Sequence, residues 1–369
     1  MRTVKLSEVA RVERRGLHPD AISPDVAYLG LEHIERGGRI LDYPTAGEAD
    51  LQSTKFEFSA QHVLYGKLRP YLAKIALPDR AGVCSTDILP VLPGPELDRV
   101  YLVHYLRQES MVDFANSRAA GANLPRLSPV QLEQFPVPLP SLDEQRRIAA
   151  ILDQADAIRS NRRQVLAHLD ALPGNLFRSH FPSANFPRRA IGDLGRVSTG
   201  KTPPTSAPGM FEGEIPFVTP GDLESDAPVA RSVTSQGAAH SRTVEPGATL
   251  VCCIGATIGK VGLASARVAF NQQINAVEWG PDVDCAYGYW ATRSIRPLIV
   301  ARGASTTLPL LPKSKFSELR LPVPPLEQQR EFATIVDAAR QPRDGVLQAL
   351  AREDELFASL QARAFRGEV

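Results

Sequence analysis

One eight-residue segment of this chain has the residue types and the spacing of a phosphate-binding loop. Residues Gly195 to Thr202 read GRVSTGKT, which satisfies the pattern G-x-x-x-x-G-K-[ST] at each defined position. In such a loop, backbone N–H groups and the lysine hold the phosphates of a nucleotide, and the hydroxyl binds Mg²⁺. Nucleotide binding is therefore the first chemistry to consider.

The sequence around this segment argues against a nucleotide site. A phosphate-binding loop joins a buried strand to a helix, but Pro203 and Pro204 follow at once and no apolar strand runs into Gly195. The equivalent stretch of the first half, residues 10–16, lacks the motif. A Gly-Lys-Thr turn that reaches a DNA phosphate or groove edge is the better interpretation. A plain surface turn, and an enzyme with a true phosphate site, stay open as alternatives.

Motifs for catalysis are otherwise missing. Neither PPT at 203–205 nor PPL at 324–326 forms the Asp/Asn-Pro-Pro-Tyr-like loop of an adenine methyltransferase, and no lysine follows an acid at the two-residue spacing of common restriction nucleases. The histidines lack metal-ligand spacing, and the cysteines, Cys84, Cys252, Cys253 and Cys285, lack CxxC spacing. We expect core thiols, no metal site, no cofactor bound by this chain and no chemistry performed by it.

Basic, amide and aromatic residues on turn-rich segments indicate nucleic-acid recognition instead. Arginine can bind guanine through two hydrogen bonds, Asn or Gln can bind adenine in the same way, and lysine more often holds phosphate. Gln272 and Gln273 are further candidate base readers, although the apolar strand around them also fits core amides. The DNA-binding candidates are Lys67, Arg69, Tyr71, Lys74, Arg118, Asn123, Arg126, Lys201, Thr202, Lys260, Arg302, Thr306 and Thr307.

The composition is that of an ordinary globular protein. The 369 residues are 43% hydrophobic and 22% charged, with a formal net charge of +1, which leaves room for two domains. A lone DNA-binding domain is usually far more basic, so either the basic residues share one face or partner subunits supply positive surface. The N-terminus lacks a secretion-signal pattern and no long apolar run exists, so we expect a cytoplasmic protein without membrane contact.

The chain repeats its own sequence with a step of about 185 residues, half its length. LSEVARV at Leu6–Val12 returns as IGDLGRV at Ile191–Val197, and PVPLPSLDEQR at Pro136–Arg146 returns as PVPPLEQQR at Pro322–Arg330. The step is too long for a solenoid unit and fits a duplicated domain. Two similar halves make a pseudo-twofold axis available, which suits duplex DNA because its half-sites are twofold related.

Each half has the same order of segments. Short apolar runs with Gly, Pro and Thr predict strands and tight turns, and a proline-rich hinge then leads into a long helix. This order predicts an α+β fold with two similar globular domains, joined by two long antiparallel helices that form a coiled-coil spacer with pseudo-twofold symmetry. The predicted segments are a first domain at 1–140, a central helix at 141–182, a second domain at 183–321 and a C-terminal helix at 322–369.

Apolar residues at alternating steps of three and four predict a seam along each helix. Pairing of the two seams is the simplest use, and packing of each on its own domain is the alternative. Pro342 is expected to kink or interrupt the second helix, and Pro173 leaves continuity of the first open. The seam positions are Ile151, Ala155, Ile158, Arg162, Val165, Leu169, Leu172 and Leu176, and Phe332, Ile335, Ala339, Pro342, Val346, Ala349, Glu353, Leu356 and Leu360.

The polar intruders on the two seams, Arg162 and Glu353, predict a register in which they face each other. A separation above about one helical turn, roughly 5.4 Å, would contradict it. About thirty residues of helix span roughly 45 Å, more than the roughly 34 to 36 Å of a DNA turn, which predicts two separated half-sites. The same register sets Leu169 against Val346, Ile158 against Phe357 and Ala155 against Leu360.

The hinge-and-helix segments resemble those of the specificity subunit of type I restriction-modification enzymes. The resemblance rests on PVPLPSLDEQRRIAAILDQADAIRSNRR, its partner PVPPLEQQREFATIVDAA, the ending LQARAFRGEV and the GKTP turn at Gly200–Pro203, and it covers the whole chain. The second copy departs from the first in having Gln328 before Gln329 where the first has Glu144 before Gln145.

The resemblance implies a non-catalytic subunit with two target recognition domains, each reading half of a bipartite, asymmetric sequence in double-stranded DNA. It implies helices that bind two methyltransferase subunits and through them restriction (motor) subunits, with S-adenosylmethionine, ATP and Mg on those partners. The charged helix starts are then methyltransferase contacts, or else simple capping turns. These residues are Asp143, Glu144, Gln145, Arg146, Arg147, Glu327, Gln328, Gln329 and Arg330. A duplicated coiled-coil adaptor that binds no DNA is the alternative function.

Overall fold

The computed structural model describes residues 2–182, 186–225, 227–304 and 308–368. They form two compact units. The first unit comprises Met1–Arg163 with Gln348–Val369, and the second comprises Gln164–Leu347. The division falls within both long helices, so each unit contains a part of each helix.

The first unit begins with ten short strands and four short helices, followed by the central helix. The strands are β1 Arg2–Lys5, β2 Ala10–Val12, β3 Gly16–Leu17, β4 Tyr28–Leu29, β5 Lys55–Phe58, β6 Val63–Gly66, β7 Ile75–Ala76, β8 Gly82–Cys84, β9 Ile88–Pro93 and β10 Pro136–Leu139. The helices are α1 Leu6–Val9, α2 Arg99–Leu106, α3 Glu109–Ser117, α4 Pro129–Glu133 and the long α5 Leu142–His180, with 3₁₀ turns at Pro19–Ala21, Leu31–His33 and Pro70–Leu72.

The second unit largely repeats this order and has one further short helix, α7 Ser235–His240. Its strands are β11 Arg188–Ala190, β12 Gly195–Thr199, β13 Phe211–Val218, β14 Ser232–Val233, β15 Thr243–Val244, β16 Thr249–Cys252, β17 Val261–Leu263, β18 Val268–Phe270, β19 Ile274–Trp279 and β20 Arg320–Pro322. Its helices are α6 Ile191–Leu194, α7 Ser235–His240, α8 Cys285–Ser294, α9 Arg296–Gly303, α10 Lys313–Ser317 and the long α11 Leu326–Arg366.

The central sheets of the two units are equivalent. Their strand orders are β2-β9-β6-β7 and β12-β19-β16-β17, antiparallel throughout. Strand β6 pairs with β9 in the same register in which β16 pairs with β19, since Gly66 lies opposite Ile88 and Cys252 lies opposite Ile274. Strands β6 and β16 are buried at every position because layers cover both of their faces. The α+β class and the duplication predicted from the sequence are confirmed.

The outer sheets differ in which edge carries an extra strand. Each outer sheet contains one parallel pair of strands. The pair is β4 with β8 in the first unit and β13 with β18 in the second. The additional strand β3 pairs with β5 in the first unit, whereas β14 pairs with β13 in the second. The two domains therefore share a core and diverge in the layer that flanks it.

The hydrophobic cores include the long helices. In the first unit, the Phe365 ring lies 5.0 Å from that of Tyr101. In the second unit, Phe177 and Phe332 have ring centroids 5.6 Å apart, edge to face. Burying such large aromatic rings ties each helix segment to its own unit.

Both long helices continue through their prolines. Pro173 lies inside α5 and Pro342 inside α11, and the helical assignment runs unbroken through each. The expected interruption at Pro342 is therefore wrong. A proline inside a helix removes one backbone hydrogen bond, and a long helix can accommodate that loss by kinking without ending.

The predicted seams have the right spacing along each helix. At one of the two seam positions in each seven-residue repeat, however, the predicted residue is the wrong one. Ile158 is 49% exposed and Leu356 is 69% exposed, so neither lies in a seam. The residues one step later, Arg159 and Phe357, face inward, and the Arg159 guanidinium lies 4.1 Å from the centre of the Phe357 ring. The pairing of Ile158 with Phe357 is therefore wrong. The other outward positions that were predicted as seam are Val165, Leu172, Ile335 and Pro342.

The physical reason is that arginine occupies seam positions. Long arginine stems cover apolar surface while their charged ends find partners, and Arg159 contacts Asp354 at 2.6 Å with only 15% of its side chain exposed. A pattern that counts only apolar residues misses such a position. It then selects the neighbouring apolar residue, which faces outward.

The central register prediction is confirmed within the first unit. Arg162 Nε donates to Glu353 Oε1 and Oε2, both at 2.8 Å, far inside the limit of one helical turn. Arg162 contacts Glu353, and Arg159 contacts Phe357. Residue numbers thus fall along α5 in the direction in which they rise along α11, so the two segments are antiparallel. Leu169, Val346, Ala155 and Leu360 are half-buried.

Three of the four cysteines are core thiols, as expected. Cys84, Cys252 and Cys253 are buried, and burial raises the pKa of Cys84 and of Cys253 to about 12. Cys285 is exposed, which corrects the expectation for that residue. It is the first residue of α8.

Candidate nucleic-acid interface

The candidate residues of each unit lie at one end of its central sheet. At this loop end, β2 and β6 stop and β7 and β9 begin in the first unit; β12 and β16 stop and β17 and β19 begin in the second. Loops at one end of a rigid sheet are well placed to bind a partner. The opposite end, the hinge end, leads into α2 or α8 and towards the long helices.

Two loops of the first unit are fastened together at its loop end. The backbone N–H of Arg69 donates to the carbonyl of Pro125 at 2.7 Å, and that of Leu127 donates to the carbonyl of Lys67 at 2.9 Å. The 3₁₀ turn at 70–72 also packs on α3. Candidates that are separate in sequence, at 67–74 and 118–126, are thus held in one surface.

Asp87 links two of these candidates. Its Oδ1 lies 3.3 Å from Arg126 Nε and 3.9 Å from Lys67 Nζ. The Arg126 side chain remains 46% exposed, so a carboxylate orients a guanidinium that is still accessible to a partner. Asp87 was not among the residues predicted from the sequence. The available signal was an acid in the turn before β9, next to the repeated basic positions.

The remaining first-unit candidates differ in their availability. Arg69, Tyr71 and Asn123 are exposed. The Arg118 side chain is exposed. Its guanidinium is held in place by stacking 3.3 Å from the centre of the Phe114 ring. Lys74 donates from Nζ to the Leu31 carbonyl at 2.7 Å and is half-buried, so its charge already supports the fold.

The GRVSTGKT segment does not have the geometry of a phosphate-binding loop. Residues Gly195–Thr199 form β12, an edge strand, and the described part of 201–234 contains no helix. Instead, Gly200 N–H donates to the Ile274 carbonyl and Lys201 N–H to the Phe270 carbonyl, each at 3.0 Å. A Cβ at Gly200 would come within 2.0 Å of the Asn271 oxygen, so only glycine permits this approach.

The two glutamines behave differently. Gln272 is exposed, and its Oε1 accepts a hydrogen bond from the Thr202 hydroxyl at 2.6 Å. Gln273 is half-buried and donates from Nε2 to the Ile254 carbonyl at 3.4 Å. The core-amide interpretation is therefore wrong for Gln272, because the turn between β18 and β19 carries it to the surface.

The other second-unit candidates also lie around the loop end. Lys260 is half-buried in the turn before β17, and Arg302 is exposed in the last turn of α9. The loop after α9 joins the turn after β16, since Gly255 N–H donates to the Pro309 carbonyl at 2.8 Å. Thr306 and Thr307 lie outside the described residues.

At the hinge end, Gln145 and Gln329 are structural. Gln145 is fully buried; its Oε1 accepts from the Asp98 N–H at 2.8 Å, and its Nε2 donates to the carbonyls of Glu96 and Pro140. Gln329 is also fully buried and makes the same three bonds, to the Asp284 N–H and to the carbonyls of Asp282 and Pro324. These amides are thus unavailable to a partner, which corrects their place among the contact candidates.

Each buried glutamine belongs to a larger lock that the sequence analysis missed. Asp98 caps α2 and Asp284 caps α8 through their carboxylates. Three residues on, Tyr101 donates to the Pro138 carbonyl and Tyr287 to that of Pro322. The available signal was the pattern D-x-x-Y, which stands at residues 98–101 and returns one repeat later at residues 284–287.

The other helix-start residues lie at the surface. Asp143 has 97% of its side chain exposed, and a hydrogen bond from Arg147 lowers the pKa of Glu144. In the second unit, Glu327, Gln328 and Arg330 are exposed. These side chains can meet a partner surface without disturbing the lock.

Two further findings concern sites of other kinds. Within the described ranges, no three His, Cys, Asp or Glu side chains group as metal ligands. Of the helices built from those residues, none combines the length and apolar character needed to cross a bilayer.

Known proteins share this architecture. The M. genitalium S subunit of a type I restriction-modification system has a TM-score of 0.61 at 16% identity, covering 99% of this chain and 96% of that one. A chain from a structure described as showing complex assembly and conformational transition of the type I R-M system has a TM-score of 0.59 at 20% identity, covering 100% and 98%. At these identities the likeness concerns the fold.

Sequence comparison identifies the family. The EcoDI type I specificity subunit of Escherichia coli is 29% identical over 163 residues, 43% of this chain and 36% of that protein. The putative MjaX specificity subunit of Methanocaldococcus jannaschii is 22% identical over 255 residues, 63% and 59%. The chain thus matches less than two thirds of the length of these relatives. The model of the type I restriction modification DNA specificity domain matches twice, at residues 47–170 and 185–343. With most of its length matched in two copies, the chain belongs to the family of type I restriction modification DNA specificity domains.

Proposed function

We propose that this chain is the DNA sequence-recognition subunit of a type I restriction-modification complex. It reads a bipartite, asymmetric target and docks methyltransferase and restriction subunits on it. The observation that carries the proposal is the duplicated loop end. Two equivalent sheets present exposed basic and amide side chains at the same end, and the family match is repeated in the same way.

The differences between the two loop ends support an asymmetric target. Arg126 with Asp87 occupies the first, whereas Thr202 with Gln272 occupies the second. Side chains with different donors and acceptors select different bases. The two half-sites are therefore different sequences.

The chain itself is non-catalytic in this proposal. The phosphate-loop pattern forms a turn fastened to a neighbouring turn, which removes the one motif that suggested an enzyme. Methyl transfer and ATP-driven steps then belong to partner subunits, together with S-adenosylmethionine, ATP and Mg. If the chain were instead an enzyme, it would hydrolyse ATP and lose that activity in the variant Lys201→Ala.

The partner surface includes the exposed helix starts and the outward faces of the long helices. Ile158 and Val165 on α5, and Ile335 on α11, are apolar and 43 to 49% exposed. Ile158 and Val165 are seven residues apart, the spacing that a neighbouring helix needs. We assign these faces, with Asp143, Arg146, Glu327, Gln328 and Arg330, to methyltransferase subunits.

Methylation mapping tests the proposed function. Long-read sequencing is applied to DNA from cells that express this chain with the methyltransferase encoded beside it, and to DNA from cells that express the methyltransferase alone. The expected result is modified adenine in a split, asymmetric motif that requires this chain. If the complex assembles but no motif depends on the chain, DNA reading is contradicted and the adaptor function takes its place.

A further inference from the structure

We infer that Gln272, oriented by Thr202, reads an adenine in the half-site bound by the second unit. The inference rests on the proposed function and names one base contact within it. We call the turn of residues 271–273, between β18 and β19, the reading turn. We call the turn of residues 199–202 the supporting turn.

The reading turn is rigid because the supporting turn is fastened to it. Gly200 and Lys201 donate their backbone N–H groups to carbonyls on either side of the reading turn, and the close approach requires the missing side chain of Gly200. The Ser241 hydroxyl donates to the Lys201 carbonyl at 2.5 Å, which fixes the supporting turn from its other side. A contact that must select one base benefits from such pre-organisation.

The hydrogen bonds of Gln272 leave the pattern that adenine requires. Oε1 has two acceptor positions, of which the Thr202 hydroxyl uses one. The second can accept from the N6 amino group of adenine. Nε2, which has no hydrogen bond to a described residue, can donate to adenine N7. The carboxamide presents an acceptor and a donor side by side, which matches adenine but not guanine, whose O6 and N7 are both acceptors. The hydrogen bond from Thr202 holds that amide in place.

The surroundings of Gln272 favour a base over a phosphate as its partner. Lys201 is exposed on the adjoining turn and provides the positive charge that a phosphate requires. A neutral amide adds little to phosphate binding but discriminates between base edges. In the first unit the equivalent position is Thr86, which is half-buried, so this contact belongs to one domain only.

The test uses the assembled modification complex with the full chain. Base preference at every position of the methylated motif is measured on a library in which each position is randomised in turn. The variants are Gln272→Glu, which replaces the donor by an acceptor, and Thr202→Val, which removes the orienting hydroxyl. Gln236→Glu, at an exposed position of α7 in the same unit and away from the long helices, is the matched control for the change in charge.

Gln272→Glu is expected to reduce the preference for adenine at one position of one half-site by about 5- to 150-fold. It should favour cytosine there, because a carboxylate accepts from the cytosine amino group. Thr202→Val should relax the same position without a new preference. Gln236→Glu should leave the motif unchanged.

Three results would overturn the inference while leaving the proposed function intact. They are an unchanged preference in both Gln272→Glu and Thr202→Val, an equal loss at every position of the motif, and a second-unit half-site without an A·T pair. Absence of any motif with the unaltered chain would instead remove the proposed function, and the inference with it.

Discussion

A single buried glutamine at the start of each long helix satisfies three backbone groups of its unit. Gln329 bonds to the Asp284 N–H and to two carbonyls, and Gln145 does the same in the first unit. A buried donor or acceptor left without a partner costs about 1 to 3 kcal/mol. These residues therefore contribute to stability out of proportion to their size.

We expect Gln329→Ala to lower the free energy of unfolding of the second unit by roughly 2 to 4 kcal/mol, because it strands an N–H and two carbonyls. The measurement is urea unfolding followed by circular dichroism. Gln328→Ala provides the matched control, since it makes the same substitution at the exposed neighbouring position and should change stability by less than about 0.5 kcal/mol. Equal effects of the two substitutions would contradict the lock.

The cysteines offer a second prediction for individual residues. Burial raises the pKa of Cys84 and of Cys253 to about 12, so both stay protonated as well as inaccessible at pH 8. Cys285 is exposed, although partial burial and Asp284 raise its pKa as well. Iodoacetamide at pH 8 should therefore modify Cys285 first, faster at pH 9 than at pH 8, and should modify all four cysteines in denaturant.

Peptide mapping by mass spectrometry identifies the modified residue. Cys285→Ser should remove native labelling while leaving labelling in denaturant at the other three positions. Rapid native modification of Cys84 or Cys253 would show that the cores are more open than described.

At the scale of elements, the long helices show what a sequence pattern can and cannot specify. The heptad spacing and the opposition of Arg162 and Glu353 were predictable because spacing and charge are written in the residues. The second seam position was not, because Arg159 packs through its aliphatic stem. The burial of Gln145 was hidden for a similar reason, since it stands in a charged first turn that reads as solvent-exposed.

The Arg162–Glu353 pair should show measurable coupling in a double-mutant cycle. Its side chains are 34% and 23% exposed, so we expect an interaction energy of about 1 kcal/mol. Arg162→Glu and Glu353→Arg should each destabilise the first unit, and the combined swap should recover most of the loss. The exposed Arg146–Asp143 pair, at 3.8 Å, is the control and should show almost no coupling.

At the scale of the whole molecule, the near-neutral charge restricts how the proposed affinity for DNA can arise. With 42 basic and 41 acidic residues, the positive charge must be local. The duplication could be predicted from the sequence, as could the candidate loops. The choice among their residues could not, because it depends on partners such as Asp87 and Thr202 that only the folded chain brings into contact.

We expect Arg126→Ala and Lys201→Ala to separate base reading from phosphate binding. Arg126→Ala should weaken DNA binding by about 1 to 3 kcal/mol and relax one position in one half of the motif, with the other half unchanged. Lys201→Ala should weaken all sequences alike and reduce the slope of log K against log salt by about 1. Binding isotherms of the assembled complex at several salt concentrations measure both effects. A motif altered in both halves by Arg126→Ala would contradict the assignment of one half-site to each domain.

The separation of the loop end from the hinge end has an evolutionary consequence. The glutamine locks lie at the hinge end of each central sheet, and the loops that carry the DNA-binding candidates lie at its loop end, with buried strands between them. Substitutions in the loops therefore leave the lock intact, and no compensating change at the helices is needed. If the proposed function holds, a lineage can acquire a new DNA specificity by drift or recombination within the loops while its descendants still assemble with the ancestral partner subunits.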